Sequence, residues 1–268
     1  MNEDRSAREG ASASRGQQPE PGLVGSLDSE HPVVRRLGHR YLVDGEPVVS
    51  VTAILGVLGI EQLAAWGQRT AVAGICELAR SRRLYRFDDE DRIFEALKAH
   101  GLTTGGVAAK ARALGTTVHE AFALIAGGET VRADDYPDPE AGYMRALTGG
   151  IEALRLRSFV ASELVVGSAV HGYAGTLDAL IETEHRGRVL LDLKTSRGVN
   201  DSAHLQLAAY RAAAVECGHE PPDQCVVLRL AADGSFELLE GRATLEQFFA
   251  VKAAYEAITA LRKALGDD

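Results

Sequence analysis

The stretch from Gly175 to Tyr210, GTLDALIETEHRGRVLLDLKTSRGVNDSAHLQLAAY, constrains this chain more than any other. Two apolar, β-compatible runs, DALIETE and RVLLDLKTS, flank His185-Arg186-Gly187, which has the length and the glycine of a hairpin connection. Side chains two apart in a strand share a face, so Asp192 and Lys194 point one way while Leu191 and Leu193 turn to a core. Asp178 enters the first strand just after Gly175-Thr176, and hairpin pairing brings its carboxylate beside that of Asp192. Converging carboxylates repel each other unless a cation sits between them. Oxygen ligands with open water positions suit Mg2+ or Mn2+ rather than zinc. The ammonium of Lys194 can orient an attacking water and offset charge developing on a phosphate. An Asp-x-Lys pair also suits a solvated strand face, so its weight comes from the company it keeps.

That company begins upstream. ALGTTVHEAFALIAGG reads as a helix with Val118, Ala121, Phe122 and Ile125 along its apolar side, ended by Gly127-Gly128. Gly115 in it permits close approach of another backbone. His119 stands beside the apolar stripe, where a histidine serves either the core or a ligand set. SFVASELVVGS reads as a strand carrying Glu163. After the hairpin, HLQLAAYRAAAVECG is an alanine-rich helix with Gln206 and Tyr210 one turn apart on one face. Its Tyr210 suits either a packed ring with a hydroxyl at the edge or a functional contact.

Taken in order, Gly115-Thr-Thr-Val-His119, Glu163 opening ELVV, Gly175-Thr-Leu-Asp178, Asp192-Leu-Lys194 and Gln206-Leu-Ala-Ala-Tyr210 resemble a known pattern. It is that of the PD-(D/E)XK nuclease superfamily, in particular the RecB-like and phage-type exonucleases related to the CRISPR-associated RecB-like exonucleases. Tyr41 to Leu55, followed by Trp66, is similar to the N-terminal hairpin and helix of the phage members. Asp192 stands where the family often has Glu, and Val49 where the phage pattern has Pro. The resemblance implies that His119, Asp178, Asp192 and the backbone carbonyl of Leu193 ligate Mg2+ or Mn2+. It implies that Lys194 positions the nucleophilic water and that Gln206 and Tyr210 close the site against DNA or the lysine. Glu163 would be a second-metal or water-binding carboxylate. The implied fold is α/β (α+β), a restriction-endonuclease-like core whose mixed sheet of about four to five strands is flanked by helices, with a helical N-terminal subregion.

Organisation along the chain agrees. Residues 1 to about 30 are Ser, Gly, Gln, Pro and charge, and are expected to be disordered. Residues 31–268 are expected to form a single nuclease domain, with a hairpin and helices over 31–130 and the catalytic core and last helix over 131–268. YLVD-GE-PVVSV reads as a hairpin turned at Asp44-Gly45, and Thr52 begins a short helix. QCVVLRLA and SFELLE form another strand pair turned at Asp233-Gly234. Thr244-Leu-Glu-Gln247 has the form of a capping box, and Phe248, Val251, Tyr255, Ile258 and Leu261 form a stripe facing the core.

Composition narrows the function classes. No run reaches the roughly 20 apolar residues of a membrane span, and the N-terminus has no apolar signal core, so a cytoplasmic enzyme is expected. The formal charge of −9 argues against adhesion to polyanions over the whole surface, but not against a local basic groove. Arg80, Arg82, Arg83 and Arg86 form one such cluster, and Lys110 and Arg112 another, and both are DNA-binding candidates. One branch of the resembling family holds an iron–sulfur cluster on four cysteines. Here only Cys76, Cys217 and Cys225 occur, with no C-x-x-C pair, so no cluster is expected and the thiols are read as small core residues.

The function expected is therefore a metal-dependent DNA nuclease, an exonuclease by resemblance, in phage or bacterial recombination, repair or processing. A recombination partner protein fits that setting. The alternatives are an endonuclease of the same fold, a silent DNA-binding module, and an interaction protein without DNA or metal affinity.

Overall fold

The computed structural model describes residues 30–266; the expected tail lies, up to residue 29, outside the described residues. The chain opens with β1 (Val34–Leu37), β2 (Arg40–Val43) and β3 (Glu46–Ser50), then α1 (Val51–Leu55), a 3-10 turn, α2 (Ile60–Arg80), α3 (Glu90–Ala99) and α4 (Thr104–Ala126). It continues with α5 (Glu140–Ala153), β4 (Leu156–Ser168), β5 (Tyr173–Thr183), β6 (Gly187–Lys194), α6 (Asp201–Glu216), β7 (Gln224–Leu230), β8 (Phe236–Glu240) and α7 (Leu245–Leu265). Asp44 at φ 52° and Gly45 at φ 87° make the tight turn between β2 and β3, as Asp-Gly predicts. Ser50 caps α1, Asn200 caps α6, and Thr244 with Gln247 closes a full capping box on α7.

Among the described residues the strands form one mixed sheet of eight, not the four to five expected. The N-terminal hairpin is the reason. Its β3 pairs in parallel with β5 through Val49↔Tyr173 and Ser50↔Ala174, so the hairpin extends the central sheet. β1, VRRL, gave no strand signal because two arginines occupy the middle of so short a run. It pairs with β2 and is turned at Gly38, whose φ is 61°.

Two apolar clusters sandwich the sheet. Tyr173, Leu177, Leu180, Leu190 and Val227 pack with α1, α6 and Phe248 of α7 on one side. On the other, Ala179, Ile181, Val189, Leu191 and Leu193 pack with Val118, Ala121 and Phe122 of α4 and with α5. This is an α/β/α layering, as hydrophobic sheet faces require. A third, much smaller cluster of Leu78, Leu84 and Leu97 joins α2 to α3. The stripe expected along α7 fades. Phe248 is buried, whereas Leu261 is 59% exposed; α7 packs chiefly on α6 and α1. The thiols are not all core residues either: Cys76 is exposed, and Cys217 and Cys225 are half-buried. No described helix is long and apolar enough to cross a membrane.

β5 decides where chemistry can occur. One of its edges is taken along nearly its whole length by β4. The other is divided: β6 pairs with Ala179 to Thr183, and β3 pairs with Tyr173 and Ala174. The segment between them, Gly175-Thr176-Leu177-Asp178, pairs with neither strand on that edge. The segment expected to carry a carboxylate thus lines a gap in the sheet.

Candidate functional site

Three neighbouring strands deliver the carboxylates to this gap. The pairs Ser162↔Ala179 and Leu164↔Leu177 bracket Glu163 and Asp178, and Ala179↔Leu191 is the last pair before Asp178 and Asp192. Glu163, Asp178 and Asp192 therefore follow one another across β4, β5 and β6. Beyond Ala179 the β5–β6 ladder opens. The N–H of Leu193, which a continued ladder would bond to β5 backbone, instead donates to Asp178 Oδ2 at 2.6 Å. Alternation also breaks here, since Leu177 packs on the α6 side and Ala179, two residues on, packs on the α4 side. Glu163 has φ 50°, a left-handed conformation that costs a residue with a Cβ about 1–3 kcal/mol. Such strain persists only where the surroundings enforce it.

His119 reaches the gap from α4, whose apolar side seats the helix on the sheet. Its Nδ1 lies 3.4 Å from Asp178 Oδ1 and 3.7 Å from Glu163 Oε1. One ligand atom from each of His119, Glu163 and Asp178 lies within 4.8 Å of the others. At this spacing the three side chains could hold one ion between them, with water supplying its remaining ligands. The donor set, one imidazole nitrogen and two carboxylates, suits a divalent cation and fits the implied metal.

Asp192 sits differently from its expected role. It is 2% exposed, and its Oδ1 accepts a hydrogen bond from Lys194 Nζ at 3.0 Å. Its Oδ2 lies 2.7 Å from the same ammonium yet receives no directed hydrogen bond, leaving a buried acceptor with spare capacity. The two side chains share a face of β6, as their spacing predicts. Lys194 also donates to Gln206 Oε1 at 3.4 Å. Tyr210, one turn on from Gln206, is 2% exposed. The hydroxyl end of the Tyr210 ring packs against Gly175. A Cβ at position 175 would come within 2.5 Å of that ring, so only glycine fits there. By contrast, a Cβ at Gly115 would meet nothing nearer than Thr195 Oγ1 at 3.9 Å, so the expected close backbone approach is absent.

Electrostatics follow from this crowding. Burial, then the negative charge of Asp192, pushes the Asp178 carboxyl up to about 7. Burial likewise holds Asp192 above the usual carboxylate range, against the pull of Lys194. The Glu163 carboxylate facing Nδ1 is the main cause that raises His119, with burial opposing and Asp178 assisting. Burial raises the Tyr210 phenol. Asp178, Asp192 and the His119 imidazole are thus held away from the protonation behaviour they have in water.

Sequence reasoning missed Tyr41 and Thr176 as site neighbours. The Tyr41 hydroxyl meets Thr176 Oγ1 at 3.0 Å, bridging the N-terminal hairpin to the gap. No local pattern signals a contact between residues so far apart. The basic candidates are all exposed. Arg80 ends α2, with Arg82, Arg83 and Arg86 in the following loop. Arg112 is seven residues before His119 on α4, hence on the same helix face, whereas Lys110 faces the opposite way.

No family model matches the chain, and no curated protein matches it. Among solved structures it is similar to one described as the crystal structure of SSO0001, with 16% identity over 47% of this chain and 68% of that one, at a TM-score of 0.27. A likeness that loose carries no functional argument.

Proposed function

We propose that this protein is a metal-dependent deoxyribonuclease that hydrolyses phosphodiester bonds, acting as an exonuclease in DNA recombination, repair or processing. The observation that carries the reading is the meeting of His119, Glu163 and Asp178 within 4.8 Å at a gap in the sheet, beside the Asp192–Lys194 pair. The resemblance of the ordered motifs to the PD-(D/E)XK superfamily supplies the choice of DNA as substrate.

In this reading His119, Glu163 and Asp178 would hold the cation, and Asp192 would hold Lys194 while keeping the spare acceptor capacity of its Oδ2. Bound Mg2+ or Mn2+ supplies Lewis-acid stabilisation and makes a coordinated water more acidic. Lys194 holds the attacking water and offsets charge growing on the phosphate oxygens. Gln206 holds the lysine through its side-chain oxygen, and Tyr210, one helical turn on, packs against Gly175. The left-handed backbone at Glu163 goes with a carboxylate that faces His119 Nδ1, where it would join the ligand set.

The test is digestion of end-labelled linear and covalently closed DNA with Mg2+ or Mn2+. Cleavage of linear DNA alone, abolished by Lys194→Ala and by Asp192→Ala in folded protein, is the expected result. Cleavage of closed circles would make it an endonuclease. DNA binding without metal-stimulated cleavage would make it a binding module, and full activity in either variant would refute the site.

A further inference from the structure

The loop after α2 is built unlike the rest of the surface. Arg80, Arg82 and Arg83 are exposed and make no salt bridge among the described residues, although the whole chain carries a formal charge of −9. Between Arg83 and Arg86 stands Tyr85, 79% exposed, the most exposed large apolar side chain among the described residues. Its neighbour Leu84 is buried against Leu78 and Leu97, so Tyr85 is thrust outward by an anchored backbone. Arg82 adds a second oddity. The Arg83 N–H donates to Leu78 O and the Arg82 N–H to Ala79 O, the pattern that ends a helix with a left-handed residue. Glycine suits that residue, yet Arg82 occupies it at φ 52°. The helix end therefore carries a strained cation three residues before an exposed ring.

Cations interleaved with an exposed aromatic match one ligand chemistry best. Phosphates pair with the guanidinium groups, and an unpaired base stacks on the ring. In duplex DNA the base faces are already stacked and cannot be offered. The acidic run Asp88 to Asp91 follows at once; Arg86 pairs with Asp88 at 3.4 Å, so that side repels a polyanion and confines it to Arg80–Tyr85. We propose that this loop is a binding site for single-stranded nucleic acid, with Tyr85 as stacking platform and Arg82 and Arg83 as phosphate contacts. It deepens the nuclease reading by naming the strand that the protein grips outside the metal site.

The experiment is fluorescence anisotropy with a labelled oligo-dT strand and with its duplex, metal chelated so that no cleavage occurs. Wild-type protein is expected to prefer the single strand. Tyr85→Ala should weaken that binding roughly tenfold, and Tyr85→Trp should restore it. Arg83→Ala should lower the slope of log affinity against log salt by about 0.7. Arg82→Gly is the sharpest variant, because it should raise the melting temperature while weakening binding. No single-strand binding, equal affinity for the duplex, or unchanged affinity in Tyr85→Ala would overturn the proposal. So would a dimer of this chain that Tyr85→Ala dissociates, since the ring would then serve a second copy. Single-strand binding without any metal-stimulated cleavage would leave this site standing and remove the nuclease reading.

Discussion

The sheet around the gap and the α2–α3 pair use burial in opposite ways. Leu177, Leu180, Ile181, Leu190 and Leu191 are fully buried between two helical layers, and among them stand two carboxylates, Asp178 and Asp192, also out of water. The α2–α3 pair rests on Leu78, Leu84 and Leu97, and leaves Val72, Tyr85 and Phe94 at 61%, 79% and 56% exposure. Holding charges in an unfavourable place takes a dense, close-packed surround. A surface that only meets a flexible ligand does not. The sheet region therefore stores electrostatic tension that a cation would relieve, whereas the helical pair offers exposed rings and unpaired cations on a thin core.

Asp178→Asn breaks the comparison hardest. It keeps an acceptor for the Leu193 N–H and removes a charge that burial disfavours. Metal-stimulated cleavage should fall more than about a hundredfold. Stability of the metal-free protein at pH 8 should stay level or rise, and thermal melts alongside activity assays check both. A drop in stability would show that no tension is stored there.

The pH dependence follows from the same groups. The folded Asp178 carboxyl is raised to about 7, so its contribution is full below an ordinary carboxylate value of about 4 and is lost as pH rises through about 7. His119 is also raised, which adds a loss above about 6.5. Melting temperature measured in chelator should fall between pH 5 and pH 8, and saturating Mn2+ should flatten that fall. A metal-free melting temperature that climbs across this window would contradict the assignment.

Gly175→Ala tests the packing that sets the site. Its Cβ would meet the Tyr210 ring at 2.5 Å, between a strand and a helix that cannot both yield. A loss of about 2 kcal/mol is expected by denaturant unfolding, with Gln206 and Lys194 displaced. Leu97→Ala sharpens the contrast from the other side. It should cost about 2 kcal/mol, yet amide exchange should accelerate in α2 and α3 while the sheet stays protected. Acceleration throughout the sheet would mean that the two regions unfold as one.

Much of this could be read from residue order. The β5–β6 hairpin, the β2–β3 turn at Asp44-Gly45, the capped α7 and the shared face of Asp192 and Lys194 all rest on contacts a few residues apart. Local rules govern such contacts. The eighth strand and the union of the hairpin with β5 were not legible, because parallel pairing of Ser50 with Ala174 leaves no local trace. For the same reason the Tyr41–Thr176 bridge and the reason for Gly175 emerge only once α6 is docked.

The site divides along that line. Sequence alone determined which groups are present and which helix and strands carry them: His119, Glu163, Asp178, Asp192 and Lys194 in an order that suits a cation and a water. Only the tertiary structure decided how they partner. Because β6 leaves β5 after Ala179, Asp178 turns to the Leu193 amide and to His119, Glu163 is drawn in from β4, and Asp192 is left with Lys194. Where two strands part is set by what packs on both sides of them, and no single segment of the chain contains that information.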